Sequence, residues 1–442
     1  MIKKTNIAII ASLGLFVSQP LFASVNKDIN SLKKEVRTIQ KVYEKRISEL
    51  EDRINSNQII SKSSKSYDSP RKIYSNQFNP SIGVILNGKY NNFSAAESEI
   101  AGFAIGEEGE RGSNGFSIGE SELNFSSNID DKFFGSLTAA IVNEDGAKIE
   151  LEEAFISTRP ELGLPTGMQL KFGRAFWKLG YLNEKHAHSD DFADRSLPYR
   201  VFLNKSFNDD GAQLSYILPT DFYLEIGGGA FRGEDFPYGG GEENSNYSAY
   251  FRTGGDITQN QNWRIGGYVL SGEAKQRVVG EEESEQIAFS GDSNLYIADL
   301  RYNFAPTGNA KNQEIILQGE YFHRQERGAY NDANINSGDV DVDNNSSGFY
   351  VQSVYKFSPQ YRVGLRYSKL EGANIPSSLD NSVLNAADHD PVSYSAMIDW
   401  TNSEFSRIRL QYSEEELSKN NTDNQVTLQY IVSLGAHSAH SY

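Results

Sequence analysis

The sequence predicts an all-β protein, a 16-stranded antiparallel transmembrane β-barrel preceded by a short N-terminal coiled-coil helix. Three observations lead to this fold class. From residue 81 onward, apolar residues recur at every second position in sixteen segments. These segments are joined alternately by short turns and long polar connections, and aromatic residues cluster at their ends. Outer-membrane barrels have these properties, because each tilted strand of about ten residues alternates lipid-facing apolar and lumen-facing polar side chains.

The predicted strands are even in number and mostly of similar length, as a closed barrel of this kind requires. They span 81–90, 116–126, 133–143, 149–158, 168–176, 211–218, 222–231, 247–256, 262–272, 294–304, 313–323, 347–357, 360–370, 391–400, 404–414 and 424–436. Connections after even-numbered strands are mostly short, whereas most after odd-numbered strands are long, and 177–210 is the longest. A soluble β-sandwich has no reason to keep this asymmetry.

Composition narrows the possible classes of protein without choosing between a membrane barrel and a secreted all-β protein. The 442 residues include 24 Tyr, 25 Phe and no Cys, and the net charge is -17. The absence of cysteine excludes a disulfide scaffold and thiol chemistry. The acidic balance argues against a nucleic-acid partner, which needs a basic surface. Much of the acid lies in 106–112 and 280–286, which are predicted to be solvated loops.

The N-terminal region predicts export and a periplasmic helix. Residues 1–23 resemble a secretory signal, with Lys3 and Lys4 before an apolar core and a small residue at the predicted cleavage site. No later stretch approaches the roughly 18 apolar residues of a membrane-spanning helix. A membrane location would therefore require a β-barrel. The predicted order is a signal peptide at 1–23, a coiled coil at 25–58, a linker at 59–80, the barrel at 81–436 and a periplasmic tail at 437–442.

The helical segment 25–58 lacks Gly and Pro and carries an apolar seam. Apolar residues recur there every three or four positions, which predicts a coiled coil and hence self-association, for example as a homotrimer. The alternative is a solitary amphipathic helix that lies on the membrane. The seam residues are Ile29, Leu32, Val36, Ile39, Tyr43, Ile47, Leu50 and Ile54.

Charged residues occupy the predicted lumen face of the barrel. The predicted basic pore-lining residues are Lys171, Arg252, Arg264, Arg301, Arg362, Arg366, Arg407 and Arg409. The acidic residues in the same alternation are Glu152, Glu225, Asp299, Glu320 and Asp399. Arginine pairs bidentately with carboxylate and phosphate, so the arginines favour anionic cargo. The alternative is that the charges pair across the lumen and stabilise the wall.

The long connection 177–210 contains the densest group of candidate metal ligands. His186, His188, Asp190, Asp191 and Asp194 could ligate zinc or iron. The alternatives are ordinary polar loop chemistry and a hydrolytic His/Asp site, for which the sequence offers no identifiable nucleophile. His323 and His389 are expected at outer loops, and His437 and His440 in the periplasmic tail that ends in Tyr442.

Several segments resemble a known family of membrane proteins. Residues 176–220, which contain FWKLGYLNEKHAHSDDFADRSLPYRVFLN and NDDGAQLSYILPT, and the terminal LQYIVSLGAHSAH resemble proteobacterial porin-like outer-membrane proteins, including siderophore porins of the legiobactin-receptor type. GFSIGESELNFSSNIDDKFFGSLTAAI and LEEAFI are more broadly similar to phosphate-selective porins. The resemblance implies a sixteen-stranded channel, with ferric-siderophore uptake as one role of the siderophore branch.

These observations predict an outer-membrane porin that imports small solutes, with ferric-siderophore uptake without a plug domain as the first hypothesis. The predicted partners are membrane lipid and a small-molecule or siderophore cargo, and neither enzymatic activity nor a cofactor is expected. The alternatives are a general, anion-selective or phosphate-selective diffusion porin and a metal-binding receptor that uses loop 183–194. A further alternative is a structural role in which the coiled coil tethers the barrel to periplasmic partners.

Overall fold

The computed structural model describes Lys34, Lys41 and residues 80–435 except 97, 144–146, 241–245 and 281. The predicted signal peptide, the C-terminal tail and nearly all of the predicted coiled coil and linker lie outside the described residues. Lys34 and Lys41 are helical and exposed. Among the residues described, no helix is long and apolar enough to cross a membrane.

In the described part of the chain, 17 β-strands form one antiparallel sheet. The strands are β1 (Ser81–Phe93), β2 (Gly115–Ile118), β3 (Ser121–Asn128), β4 (Phe133–Asn143), β5 (Ala147–Thr158), β6 (Met168–Phe176), β7 (Asn208–Ile217), β8 (Tyr223–Phe231), β9 (Asn246–Thr258), β10 (Gln261–Val279), β11 (Ile287–Phe304), β12 (Glu314–Asp332), β13 (Asp339–Ser358), β14 (Tyr361–Glu371), β15 (Val392–Ser403), β16 (Ser406–Ser418) and β17 (Asn421–Gly435).

The sheet closes on itself, because the first strand pairs with the last along most of its length, from Gly83 opposite Gly435 to Phe93 opposite Gln425. On its other side β1 pairs with both β2 and β3, which together fill one position in the barrel wall. The predicted sixteen-stranded antiparallel barrel is therefore confirmed, with one extra strand. Gly119 lies between β2 and β3. A larger residue there would crowd β1, because its Cβ would lie 2.8 Å from the side-chain amide nitrogen of Asn87.

The two faces of the barrel differ in polarity as the alternation requires. On β14, Leu365 is 66% exposed on the outer face, whereas its neighbour Arg366 is buried on the lumen side. Phe172 on β6 is likewise 63% exposed beside the lumen-facing Lys171. An apolar outer face requires lipid contact, because a water-exposed apolar surface of this extent is rare in soluble proteins.

The strands from β10 to β13 are longer than the sequence predicted. They have 18 to 20 residues each, and their outer halves occupy most of the predicted connections 273–293 and 324–346. The expectation that His323 falls in an outer loop is therefore wrong, since it pairs with Tyr296 and Ser347 within the sheet. These extensions lack the apolar alternation of a lipid-facing strand, so periodicity alone could not find them.

One end of the barrel carries the long connections, and we call it the loop end; the other is the turn end. Inside the loop end lies an apolar core to which three connections contribute. It includes Phe103 from 94–114, Trp177 and Phe202 from 177–207, and Leu379 from 372–391, all nearly fully buried. The interior of the barrel is therefore partly filled by its own loops.

Candidate functional site

The connection between β6 and β7, residues 177–207, folds into the barrel, and we call it the inner segment. It contains helix α1 (Leu197–Leu203), which begins with Pro198 in its first turn and ends at Asn204 in a left-handed conformation. Every residue of α1 is buried. A helix this short is marginal in water by itself, so its packing inside the lumen maintains it.

Apolar and aromatic contacts fix α1 against β12 and β13. The Tyr199 and Phe322 rings lie 5.1 Å apart, and Phe202 stacks on Phe322 at 5.9 Å. The Tyr199 hydroxyl donates to the Glu320 carboxylate, which also accepts from the Tyr181 backbone N–H at 2.8 Å. The inner segment is therefore attached to the wall by buried aromatic packing and by buried hydrogen bonds to Glu320.

The side chains of two of the predicted metal ligands hold the inner segment to the wall instead, and a third pairs within the segment. Asp191 accepts from Arg362 at 2.8 Å, and Asp194 accepts from Arg366 at 2.8 Å. Asp190 pairs with Arg195 at 2.6 Å, and the Asp190 backbone carbonyl accepts from Arg407 and Arg409.

The structure therefore does not bring these aspartates together with the two histidines as one ligand set. The physical reason is charge pairing, since each carboxylate satisfies a nearby buried guanidinium. We call the contacts of Asp191 with Arg362 and of Asp194 with Arg366 the arginine clamps.

The clamps give the inner segment a defined dependence on pH. Burial would raise the pKa of Asp194, but Arg366 together with the hydrogen bond from Gln411 holds that pKa below its usual range. For Asp191, Arg362 and the other nearby cations have the same effect against burial. A carboxyl with a lowered folded-state pKa contributes stability above its unfolded pKa, about 3.9, and that contribution is lost as pH falls through the folded value. The clamps are thus intact at neutral pH.

We expect the ion conductance of the native protein to be steady above about pH 4 and to rise below it, since protonated aspartates release the arginines. The double variant Asp191→Asn/Asp194→Asn should show the higher conductance already at neutral pH. Asp380→Asn, at an exposed loop position, serves as the control. A double variant whose conductance follows the native pH profile would contradict this role of the clamps.

The two histidines of the inner segment meet glutamates of the wall. His186 Nδ1 lies 3.2 Å from Glu122 Oε2 and 3.3 Å from Glu152 Oε2, and its Nε2 lies 3.1 Å from Glu153 Oε2. His188 Nδ1 lies 2.6 Å from Glu122 Oε1. Burial alone would lower the pKa of His186, but the negative charge of Glu122 and the adjacent carboxylates of Glu152 and Glu153 raise it well above its usual value.

A β-bulge explains why two consecutive glutamates both reach His186. In the pairing of β4 with β5, Thr138 lies opposite Glu153 and Ala139 opposite Leu151, which leaves Glu152 as the extra residue. An extra residue shifts the alternation by one, so neighbouring side chains can point to the same face. Sequence reasoning placed Glu152 in the lumen but missed Glu153 and Glu122. Strict alternation could place neither, because the phase of exposure changes between Ile118 and Glu122, where β2 gives way to β3, and again at the bulge before Glu153.

The remaining predicted pore-lining residues also point into the lumen, but their charged groups mostly bind carboxylates, hydroxyls or aromatic rings of neighbouring side chains. Arg252 pairs with Glu184 of the inner segment and donates to the Tyr268 hydroxyl at 3.0 Å. Arg264 and Arg301 each lie 4.8 Å from the Tyr181 ring centre. Lys171 lies 4.4 Å from the Phe155 ring centre.

Acidic residues of the wall pair with several of the remaining lumen cations. Arg409 and Arg362 both bind Asp399, and Arg264 lies 3.5 Å from Asp299. These pairs join neighbouring strands, since Asp399 lies directly opposite Arg362 and Arg409 in the sheet. They stabilise the wall from its lumen face and do not cross the lumen.

Two cavities lie on either side of the inner segment. The loop-end cavity measures about 250 Å³ and is lined by Glu152, Arg174, Lys185 and Ala187, among others. The turn-end cavity measures about 220 Å³, and its lining includes His188, Lys356, Arg362 and Arg407. The inner segment thus contributes to the lining of both cavities and lies where a path through the lumen would pass.

Comparisons with known proteins agree with this architecture. No protein-family model matches the chain. Over 396 residues it is 27% identical to a protein of Aquifex aeolicus (strain VF5) described as uncharacterized, covering 83% of this chain and 80% of that one.

Solved structures of similar fold include three outer-membrane proteins, each aligned with 80% of this chain. The DcaP channel of Acinetobacter baumannii has a TM-score of 0.51 at 12% identity and 97% coverage of its own chain. The anion-selective porin of Comamonas acidovorans has a TM-score of 0.51 at 10% identity, with 99% of its chain covered. The loop L8 deletion mutant of Vibrio cholerae OmpT has a TM-score of 0.50 at 10% identity, with 99% of its chain covered. The chain therefore has the fold of outer-membrane porins and channels.

Proposed function

We propose that this protein is an outer-membrane channel for small solutes, gated by the inner segment. The observation that carries the proposal is the position of that segment, clamped between two cavities inside a closed sixteen-stranded barrel. A barrel of this strand number encloses more space than side chains from the wall can fill. The inner segment contacts the wall through noncovalent ion pairs, hydrogen bonds and aromatic packing, so it can be displaced without breaking the sheet.

Small anions, including ferric-siderophore complexes, are the cargo class that we propose. The turn-end cavity brings Lys356, Arg362 and Arg407 together, and guanidinium groups bind carboxylate and phosphate bidentately. The resemblance of residues 176–220 to siderophore porins supports the siderophore within this class. General diffusion and phosphate selectivity remain the alternatives.

The size of the cavities sets a requirement on transport. At about 250 and 220 Å³, each is smaller than the roughly 300–1,000 Å³ of pockets that enclose drug-sized molecules. A siderophore complex could pass only if the inner segment moved. We therefore expect low basal conductance with rare larger openings, rather than the steady current of a wide pore.

Planar-bilayer recording of the purified protein tests the channel proposal, and the reversal potential in a salt gradient tests anion preference. We expect discrete conductance steps and a reversal potential on the anion side. A protein that inserts without conducting, even under acidification, would sink the proposal. Growth of a deletion strain under iron, zinc and phosphate limitation, with and without siderophore, then separates the cargoes. A deletion strain that still benefits from added siderophore as much as its parent would contradict iron-siderophore uptake.

The N-terminal predictions complete this proposal. A signal at 1–23 would deliver the chain to the periplasm, and a coiled coil at 25–58 would assemble it there as a homotrimer. Removal of residues 25–58 should then change the oligomeric state measured by light scattering in detergent, while leaving barrel assembly intact. An unchanged oligomeric state would argue for the solitary amphipathic helix instead.

A further inference from the structure

The cluster around His186 consists of potential metal-ligand side chains that the channel function does not require. Glu122 from β3, Glu152 from β5 and His186 from the inner segment each offer one ligand atom, and the three atoms lie within 4.8 Å of one another. The side chains are 1%, 12% and 10% exposed, respectively. They are thus brought together by tertiary structure and shielded from bulk water.

One atom in this cluster has neighbours but makes no hydrogen bond. Among the described residues, His186 Nδ1 forms none, although Glu122 Oε2 and Glu152 Oε2 lie 3.2 and 3.3 Å away; Glu152 Oε2 is itself buried without a hydrogen bond. Ligand atoms bound to zinc at about 2.0–2.1 Å in a tetrahedron are separated by about 3.3 Å. These two separations therefore match the edges of a tetrahedral metal site.

The remaining contacts orient the ligands in the manner of metal centres. His186 Nε2 can donate to Glu153 Oε2 at 3.1 Å, and a bound cation would take the place of the Nδ1 proton between the other two glutamates. A histidine that binds metal through one nitrogen usually donates its other N–H to a carboxylate or carbonyl. Glu122 is oriented in turn by His188, whose Nδ1 lies 2.6 Å from Glu122 Oε1.

Charge and access also fit a dication. Three carboxylates surround the single imidazole of His186, and a divalent ion would offset their mutual repulsion. Glu152 also lines the loop-end cavity, which gives an ion a route to the site. Imidazole with carboxylates favours zinc-class transition metals over magnesium, which prefers oxygen ligands and retains its waters.

We propose that Glu122, Glu152 and His186 form a binding site for a divalent transition metal of the zinc class, with a fourth position open to water. Glu153 acts as the positioning residue that fixes the His186 ring. Because two ligands lie on the wall and one on the inner segment, a bound ion joins the two. The proposal goes beyond the channel function and does not depend on it.

Zinc titration of the full-length protein in detergent, after removal of metals with a chelator, tests the site by calorimetry. All proteins should carry His437→Gln and His440→Gln, so that the tail histidines do not bind the probe. We expect one Zn²⁺ per chain. His186→Gln and Glu152→Gln should weaken binding by roughly tenfold or more, since even loss of an outer-shell partner costs about that much. His323→Gln, at a histidine within the barrel wall, should not change it.

Absence of saturable binding, or equal affinity in the native and site variants, would overturn the proposal. The altered mobility of a heated sample on a gel reports folding of each variant. If neither site variant folds, zinc-edge X-ray absorption of the parent protein decides: one imidazole nitrogen with carboxylate oxygens supports the site, and an all-oxygen shell or several imidazoles overturns it. Zn²⁺ binding measured in this way stands or falls separately from ion conductance.

Discussion

Replacement of Arg409 by alanine is expected to destabilise the barrel by about 1.5–3 kcal/mol, because the buried Asp399 carboxylate loses a charge-assisted contact and keeps Arg362 as a cationic partner. The Arg409 and Asp399 side chains are both 0% exposed, and Arg409 Nε lies 2.8 Å from Asp399 Oδ1. Arg409 also donates to the Asp190 carbonyl at 2.8 Å. Its loss therefore weakens both the wall and the attachment of the inner segment.

The free energy of unfolding in lipid vesicles, from urea titration followed by tryptophan fluorescence, measures this effect. Arg327→Ala is the matched control, since the Arg327–Asp343 pair is 75% and 68% exposed, and exposed pairs contribute less than about 1 kcal/mol. Equal losses in the two variants would show that the lumen pair is solvated and that the interior is more open than its burial indicates.

Loss of both arginine clamps is expected to open the channel. Each clamp is a charge-assisted contact that contributes about 1.5–3 kcal/mol, and every 1.4 kcal/mol changes a population by about tenfold. In the double variant Arg362→Gln/Arg366→Gln, we therefore expect the population of channels with a displaced inner segment to rise by roughly tenfold or more. Single-channel recording should show this as a higher open probability.

Lys356→Gln is the control for this experiment, because it removes a lumen charge of the same sign that contacts Glu314 and the Ala310 carbonyl instead of the inner segment. A second readout uses the absence of cysteine from the chain. Ala193→Cys introduces a single thiol at a buried position of the inner segment, and its modification rate reports displacement. Unchanged labelling and open probability in the double variant would show that aromatic packing alone holds the segment.

Sequence reasoning located the barrel because its signal is local. An apolar residue that recurs at every second position specifies a strand with one lipid face, and the same alternation is sufficient to place Arg362, Arg366 and Arg409 in the lumen. It failed where the local signal stops. The outer halves of β10–β13 have no lipid face, and the bulge in β5 reverses the alternation after Glu152.

The partners within the lumen required the tertiary structure. His186 meets Glu153 across 33 positions of sequence, and His188 meets Glu122 across 66. Asp191 and Asp194 reach arginines more than 170 positions away. Sequence proximity suggested that the histidines and aspartates act together, yet closure of the sheet directs the former to glutamates and the latter to arginines.

The sequence by itself therefore determined the sixteen-stranded barrel and the arginines that line its lumen, because strand alternation encodes which side of the wall a residue occupies wherever the strand has a lipid face. Only the tertiary structure decided that the connection 177–207 lies inside the barrel and which charges it meets. The reason is that a loop is placed by contacts with distant strands, and these contacts leave no periodic pattern in the chain.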